Sequence, residues 1–227
     1  IHNSADEKIF FRPLQTKKSS GKVRLIISSW SSNQKKGFEI YDWLDENLDF
    51  DRYSVKFVGN SPRDFQNIVA IAPVPSKELG RMLRESDVFL TASQNDPCSN
   101  SVIEALLSGV PVLALASGGH PELVQQGGML FHGKNDILEK IDEISTNLEN
   151  FRAAISVKRM TTVTLSYQAF FQEVREHRRR SPQKRSHLVL LVLPFVSKII
   201  LLKEALMRRL FTQRWLVARF SKGRVWD

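Results

Sequence analysis

From Val23 onward, short apolar runs recur between stretches of helical period, and this rhythm constrains the fold more than any other feature of the chain. The runs are VRLIIS (23–28), SVKFVG (54–59), NIVAIAP (67–73), DVFLTAS (87–93), PVLALA (111–116) and GMLF (128–131). Helical stretches fall near 37–46, 76–86, 100–108, 121–126, 136–148 and 166–176. A strand with one wet face alternates apolar and polar residues, whereas runs apolar at successive positions are covered on both faces. Strand and helix in alternation therefore predict an α/β fold, a doubly wound and mostly parallel sheet with helices on either side.

Three regions follow: an opening hinge segment (1–20), the α/β domain (21–176) and a basic tail (177–227). The 227 residues, 42% of them hydrophobic, suffice for one sizeable core. The formal charge of +9 belongs to the tail, which holds 13 Lys and Arg against two acids, a net of +11; residues 1–176 hold 20 against 22, a net of −2. One cysteine, Cys98, excludes an internal disulfide, suits a reducing compartment, and is read as a small packing residue. The first eight residues are polar and charged where a secretory signal needs an apolar run, so the start is expected to be an internal segment.

In the tail, LVLLVLPFVSKIILL (188–202) is interrupted by Pro194 and Lys198 and is too short to span a bilayer. Beyond it Leu206, Met207, Leu210, Phe211 and Trp215 recur at helical steps among Arg208, Arg209, Arg214 and Arg219. This basic amphipathic pattern suits a membrane surface. The competing reading is packing against a further domain or another copy. Nucleic acid is disfavoured, because the tail offers Leu, Val and Arg in place of stacking platforms and base readers.

In open parallel sheets ligands sit beyond the carboxyl ends of the strands, where loops lead into helix N-termini. The stretch SQNDPCSNSVIEALLSGVP (93–111) stands there. Ser99, Asn100 and Ser101 start a helix whose N–H groups and positive dipole end suit a phosphate. Glu104, one turn in, can accept hydrogen bonds from a vicinal diol such as ribose, and Asp96 on the loop can meet sugar hydroxyls. The competing reading is a capping box, Ser101-x-x-Glu104, that serves only the helix. Lys36-Gly37, after the first strand, would place an ammonium on a diphosphate, unless it is a solvated lysine at a helix start. Gly118-Gly119, ahead of Glu122 and another helix, would allow close backbone approach to an anion, or is only a turn. Together these signals describe a pocket for a nucleotide diphosphate carrying a polyol.

Neither a GxGxxG fingerprint nor a Walker loop is present, which disfavours dinucleotide redox chemistry and phosphate-loop phosphoryl transfer. The five histidines (His2, His120, His132, His177, His187) lack metal-ligand spacing.

These residues resemble the donor-binding, C-terminal half of GT-B glycosyltransferases of the retaining family 4, or group 1, type. The resemblance rests on Asp96-Pro97-Cys98-Ser99-Asn100-x-x-x-Glu104-Ala105-Leu106-x-x-Gly109-x-Pro111-Val112, with Lys36-Gly37, the strand SDVFLTAS and Gly118-Gly119-x-x-Glu122 in support. It covers roughly residues 21–176, and HNSADEKIFFRP (2–13) looks like the family's interdomain hinge. It implies transfer of a glycosyl group from a nucleotide-diphosphate sugar to a glycan or lipid-linked acceptor, with retention and no cofactor or obligatory metal. The acceptor site would lie on an N-terminal GT-B domain, and the enzyme would be cytoplasmic, peripheral on the cytosolic face of a membrane.

The resemblance makes Asp96 and Glu104 the candidate catalytic acids, Asp96 toward the sugar and Glu104 toward the ribose. Lys36, Gly37, Ser99, Asn100, Gly118, Gly119 and Glu122 are the candidate donor-binding residues. Two departures stand out. Asp96 replaces the family's commoner Glu, and Ser31 stands where an Arg often precedes the Lys. They keep a second reading open, a non-catalytic GT-B-like partner subunit or nucleotide-sugar-binding module. Another nucleotide-sugar enzyme of the same architecture, such as an epimerase, is a third.

Overall fold

Six strands, β1 (Val23–Ser29), β2 (Tyr53–Gly59), β3 (Val69–Ile71), β4 (Val88–Thr91), β5 (Val112–Leu115) and β6 (Gly128–Phe131), form one parallel sheet in the order β3-β2-β1-β4-β5-β6. The structure, a computed structural model, describes residues 3–14 and 21–180. The expected doubly wound α/β sheet is what forms. Successive strand residues point to opposite faces, so each strand supplies both halves of the core. Leu25 and Ile27 of β1 face one side and Ile26 the other, and all three are essentially inaccessible.

The first face is covered by α1 (Phe38–Asn47) and α5 (Ile137–Thr146), which bring Phe38, Tyr41 and Leu44, and Ile137, Ile141 and Ile144, onto Leu25, Ile27, Phe57 and Leu90. The second is covered by α2 (Ser76–Arg84), α3 (Asn100–Leu107) and α4 (His120–Val124), whose Leu79, Val102, Ile103 and Leu123 pack on Ile26, Phe89 and Val112. Each fully buried aliphatic or aromatic side chain contributes about 1.5–3 kcal/mol relative to exposure. From the opening segment Phe10, 3% exposed, joins this second cluster, and the Ile9 carbonyl accepts a hydrogen bond from Arg84 at 2.8 Å.

One expectation is corrected and two are extended. The run at 67–73 yields only the three-residue edge strand β3, where Val69 is 56% exposed: apolar composition marked a strand that the sheet covers poorly. The helix expected at 136–148 forms as α5, which ends at Thr146, and a further helix, α6 (Leu148–Ala154), follows beyond Asn147. The helical stretch at 166–176 lies inside the longer α7 (Met160–Arg180). Residues up to Phe170 form one compact unit and the chain from Phe171 a second, of which the described part continues α7. The tail readings, from residue 181 on, lie outside the described residues. Among the described residues no helix is long and apolar enough to cross a membrane.

At the amino-terminal edge of the sheet Asp87 accepts hydrogen bonds from Arg24 N, Nε and Nη2, each at 2.9 Å, and from Arg152 Nη2 at 3.2 Å. Burial alone would raise the Asp87 pKa, but these bonds and charges hold it below the ordinary value. They lock β1, β4 and α6 together beside a depression of about 300 Å³. Its charges are already paired, so it is a structural corner of the fold.

Candidate functional site

The strand order reverses between β1 and β4, and this leaves a crevice beyond their carboxyl ends where the loops diverge. A cavity of about 350 Å³ opens there. One wall is formed by residues 28–31 and Lys36, the other by Asp96, residues 98–101 and Glu104.

The loop after β1 is built to meet the loop after β4. Asn33 accepts from Lys35 N at 2.9 Å and caps a short 3-10 helix, Gln34–Lys36, that delivers Lys36 to the crevice. Gly37 follows at φ +84, and a Cβ on it would lie 2.3 Å from the Ala92 carbonyl oxygen. Only glycine satisfies both the left-handed backbone and the close approach. Gln94 N then donates to the Lys35 carbonyl at 2.7 Å, stitching the loops together. The result places Lys36 Nζ 3.4 Å from both Ser93 Oγ and Asp96 Oδ2.

Asp96 is held from its other side. Its Oδ1 accepts from Cys98 N at 3.3 Å, and its carbonyl from Gly119 N at 2.8 Å. Gly118, at φ +57, and Gly119 would carry Cβ atoms within 2.4 and 2.2 Å of the Asp96 and Pro97 carbonyl oxygens. Their lack of side chains makes room for this loop, and the Gly119 N–H is committed to it.

Ser99 occupies the N-cap of α3 with no side-chain cap bond, and its hydroxyl sits 3.0 Å from that of Ser101. The capping-box reading fails here: with Ser99 at the cap, Glu104 lies too far along the helix to return to it. Asn100 accepts from Asn3 Nδ2 at 3.2 Å, and the Cys98 sulfur accepts from Asn3 N at 3.4 Å, so the opening segment closes this end of the wall. Cys98 packs at the edge of the second core cluster, as expected of a small packing residue.

Glu104 is half-buried and makes no side-chain hydrogen bond to any other described residue. Burial alone pushes its pKa up to about 7. It also borders a second cavity of about 400 Å³, which shares Asn100 with the first and is bounded by residues 3–6, Phe10 and the start of α7. The structure thus brings together Lys36, Asp96, Ser99, Asn100 and Glu104, while Gly37, Gly118 and Gly119 shape the loops behind them. Glu122 is not among them: it is exposed on α4 and lines a separate depression with Ile103 and Leu106.

Two residues at the site escaped the sequence reading. Trp30, 47% exposed, forms part of the cavity wall; an aromatic among serines at a strand's end was the available signal. His120 is fully buried at the start of α4, its Nδ1 2.8 Å from the Leu115 carbonyl oxygen. That contact fixes Nδ1 as the donor, and Nε2 meets no described partner. Burial holds its pKa below the ordinary imidazole value. Among the described residues no three His, Cys, Asp or Glu gather as a metal site.

The fold is shared with solved structures. Sucrose-phosphate synthase from Thermosynechococcus elongatus matches with a TM-score of 0.59 at 15% identity, over 77% of this chain and 52% of that one. The C-terminal domain of a glycosyl transferase group 1 family protein (LpcC) from Francisella tularensis matches with a TM-score of 0.53 at 21% identity, over 72% of this chain and 98% of that domain. Anabaena Alr3699/HepE, in complex with UDP-glucose, matches with a TM-score of 0.57 at 18% identity, over 77% and 56% of the two chains. In sequence, the chain is 29% identical to an uncharacterized 41.2 kDa protein in the cps region of Klebsiella pneumoniae, over 52% of this chain and 36% of that protein. It is 28% identical to spore coat protein SA of Bacillus subtilis, over 37% of this chain and 24% of that protein. The chain thus spans half or less of the length of the curated relatives it matches. The family model described as Glycosyl transferases group 1 matches residues 17–150, well over half of the chain, and the protein belongs to that family.

Proposed function

We propose that the chain is the donor-binding half of a retaining glycosyltransferase that moves a glycosyl group from a nucleotide-diphosphate sugar to a glycan or lipid-linked acceptor. The observation that carries this reading is the meeting of Lys36, Asp96, the α3 N-terminus and Glu104 around one cavity at the β1–β4 crevice. The Lys36 ammonium and the α3 N-terminus take the diphosphate. Glu104 accepts hydrogen bonds from the ribose diol, and Asp96 from hydroxyls of the glycosyl group. The bond between the anomeric carbon and the diphosphate oxygen breaks, and its electron pair leaves with the nucleotide. An acceptor hydroxyl attacks from the face the leaving group quits, and its proton passes to the departing diphosphate oxygen. Fixed charges and dipoles aimed at the departing diphosphate are this half's contribution, and the chemistry described calls for no cofactor and no obligatory metal.

The acceptor site is proposed to lie on a partner GT-B domain. The basic tail is proposed to hold the enzyme at the cytosolic face of a membrane, supported by its charge and amphipathic pattern in the sequence. A protein uniting this chain with an N-terminal acceptor half, supplied with nucleotide sugar and acceptor, should form product with the donor's anomeric configuration, and Glu104→Ala should lose most of that activity. A second reading, a nucleotide-sugar-binding module without turnover, is favoured by Ser31: Lys36 is left as the one cation on the cavity wall among the described residues. Donor binding without transfer would select it.

A further inference from the structure

Trp30 is held in a position that no packing role explains. It is the first residue beyond β1, and the backbone around it is tied on both sides. Asn60 N donates to the Ser29 carbonyl and Asn60 Nδ2 to the Trp30 carbonyl, both at 2.8 Å, and the Ser29 hydroxyl donates to the Ser31 carbonyl at 2.8 Å. Gly59, at φ +130, lets β2 come so close that a Cβ there would fall 1.8 Å from the Ser29 oxygen. On this fixed backbone the indole is left 47% exposed, the only aromatic among the described residues on a cavity wall otherwise made of hydroxyl, amide, thiol and charged groups. A large aromatic left half-wet forgoes the stabilisation that burial gives, and a flat ring laid on its face supplies it.

The loops also say which end of a ligand it would meet. Along the sheet edge the order is β2, β1, β4, β5. Trp30 is tied to Asn60 after β2, Lys36 reaches Ser93 and Asp96 after β4, and Asp96 is tied to Gly119 after β5. Trp30 thus stands on the cavity wall opposite Asp96 and Glu104. A nucleoside whose ribose is held at Glu104 can turn the face of its base to the indole across the cavity.

We propose that Trp30 is the platform on which the nucleobase of the donor stacks, and so a determinant of which nucleotide sugar the site accepts. This rests on the nucleotide-sugar reading above. Base-on-aromatic stacking is sequence-tolerant but surface-dependent, so purine and pyrimidine nucleotides should differ in how much they lose without the indole.

The test is calorimetry on the 227-residue chain with UDP, GDP, ADP and dTDP, and with inorganic pyrophosphate as a base-free comparator, for wild type, Trp30→Ala and Trp30→Phe. Trp30→Ala should weaken the preferred nucleotide about ten-fold or more and leave pyrophosphate within about two-fold, whereas Trp30→Phe should restore most of the loss. Equal nucleotide affinity in wild type and Trp30→Ala overturns the stacking role while the donor site stands. A loss shared equally by pyrophosphate, or one that Phe does not repair, also overturns it, because Trp30 then only shapes the loop. Failure of the wild type to bind any of the nucleotides overturns the donor reading and this inference with it.

Discussion

Across the β1–β4 crevice the Lys36 ammonium sits 3.4 Å from a carboxylate oxygen of Asp96, with about a third of the lysine side chain and a fifth of the aspartate still in contact with solvent. The cation proposed to take the diphosphate is therefore partly neutralised by the acid proposed to take the sugar. A part-exposed pair of this kind is worth at most about 1 kcal/mol. Asp96→Asn should consequently tighten binding of a bare nucleoside diphosphate by about two- to five-fold while shrinking the advantage of the sugar-bearing donor over it. Titration of both ligands against both proteins checks this.

Glu104 carries the pH dependence. Burial raises its pKa to about 7 in the free protein, so its neutral form is favoured in the folded state. The associated stability is present below the unfolded carboxylate range, near pH 4.5, and is lost as pH rises toward 7. Relative to Glu104→Gln, wild type should lose stability across that window, read from urea midpoints. If the ionised carboxylate accepts the ribose diol, donor binding lowers this pKa and releases a proton. Affinity should then rise between about pH 6 and 7, and calorimetry near pH 6.5 in buffers of different ionisation enthalpy should report that release.

Gly37 is predicted to be irreplaceable for geometric reasons. Alanine there meets both a left-handed backbone and an atom 2.3 Å from its Cβ. The backbone alone costs about 1–2 kcal/mol, and the loops after β1 and β4 must part to relieve the contact. Gly37→Ala should lower stability by about 2 kcal/mol or more and weaken nucleotide binding, since Lys36 moves with the loop. Denaturation and titration of the same preparation read both effects.

Asp87 tests the far edge of the sheet. It is 3% exposed and binds Arg24 and the equally buried Arg152, so Asp87→Ala strands charge in the interior and should cost about 3–5 kcal/mol. Because the Asp87 pKa is lowered, the stability it gives is present above the ordinary carboxylate pKa and lost as pH falls below it. Nucleotide affinity in the folded fraction should be unchanged, because this corner lies at the opposite end of the strands from the cavity.

The sheet was legible in the sequence wherever both faces of a strand are buried. β1, β4, β5 and β6 read directly because Ile26 and Ile27, or Leu113 and Ala114, point opposite ways into two cores. At the edge the same pattern misled, since Val69 is apolar and largely exposed. The turn at Asn147 was invisible because the apolar period of α5 runs on into α6 through Leu148. At the site, Lys36, Asp96 and Glu104 were found from their places after strands and at a helix start. Trp30 and His120 were missed because their meaning lies in contacts between chain segments, with Asn60 in one case and Leu115 in the other. Ser101 and Glu104 had the spacing of a capping box, but the helix starts with Ser99 at the cap, and that two-residue shift frees Glu104 for the cavity.

The most direct measurement is calorimetric titration of the chain and of Glu104→Ala with a panel of UDP-, GDP-, ADP- and dTDP-sugars. The account predicts selective binding of one nucleotide family by the wild type and its loss in a Glu104→Ala protein that keeps its circular dichroism spectrum. Undiminished binding by Glu104→Ala, or no binding of any nucleotide sugar by the wild type, would contradict it.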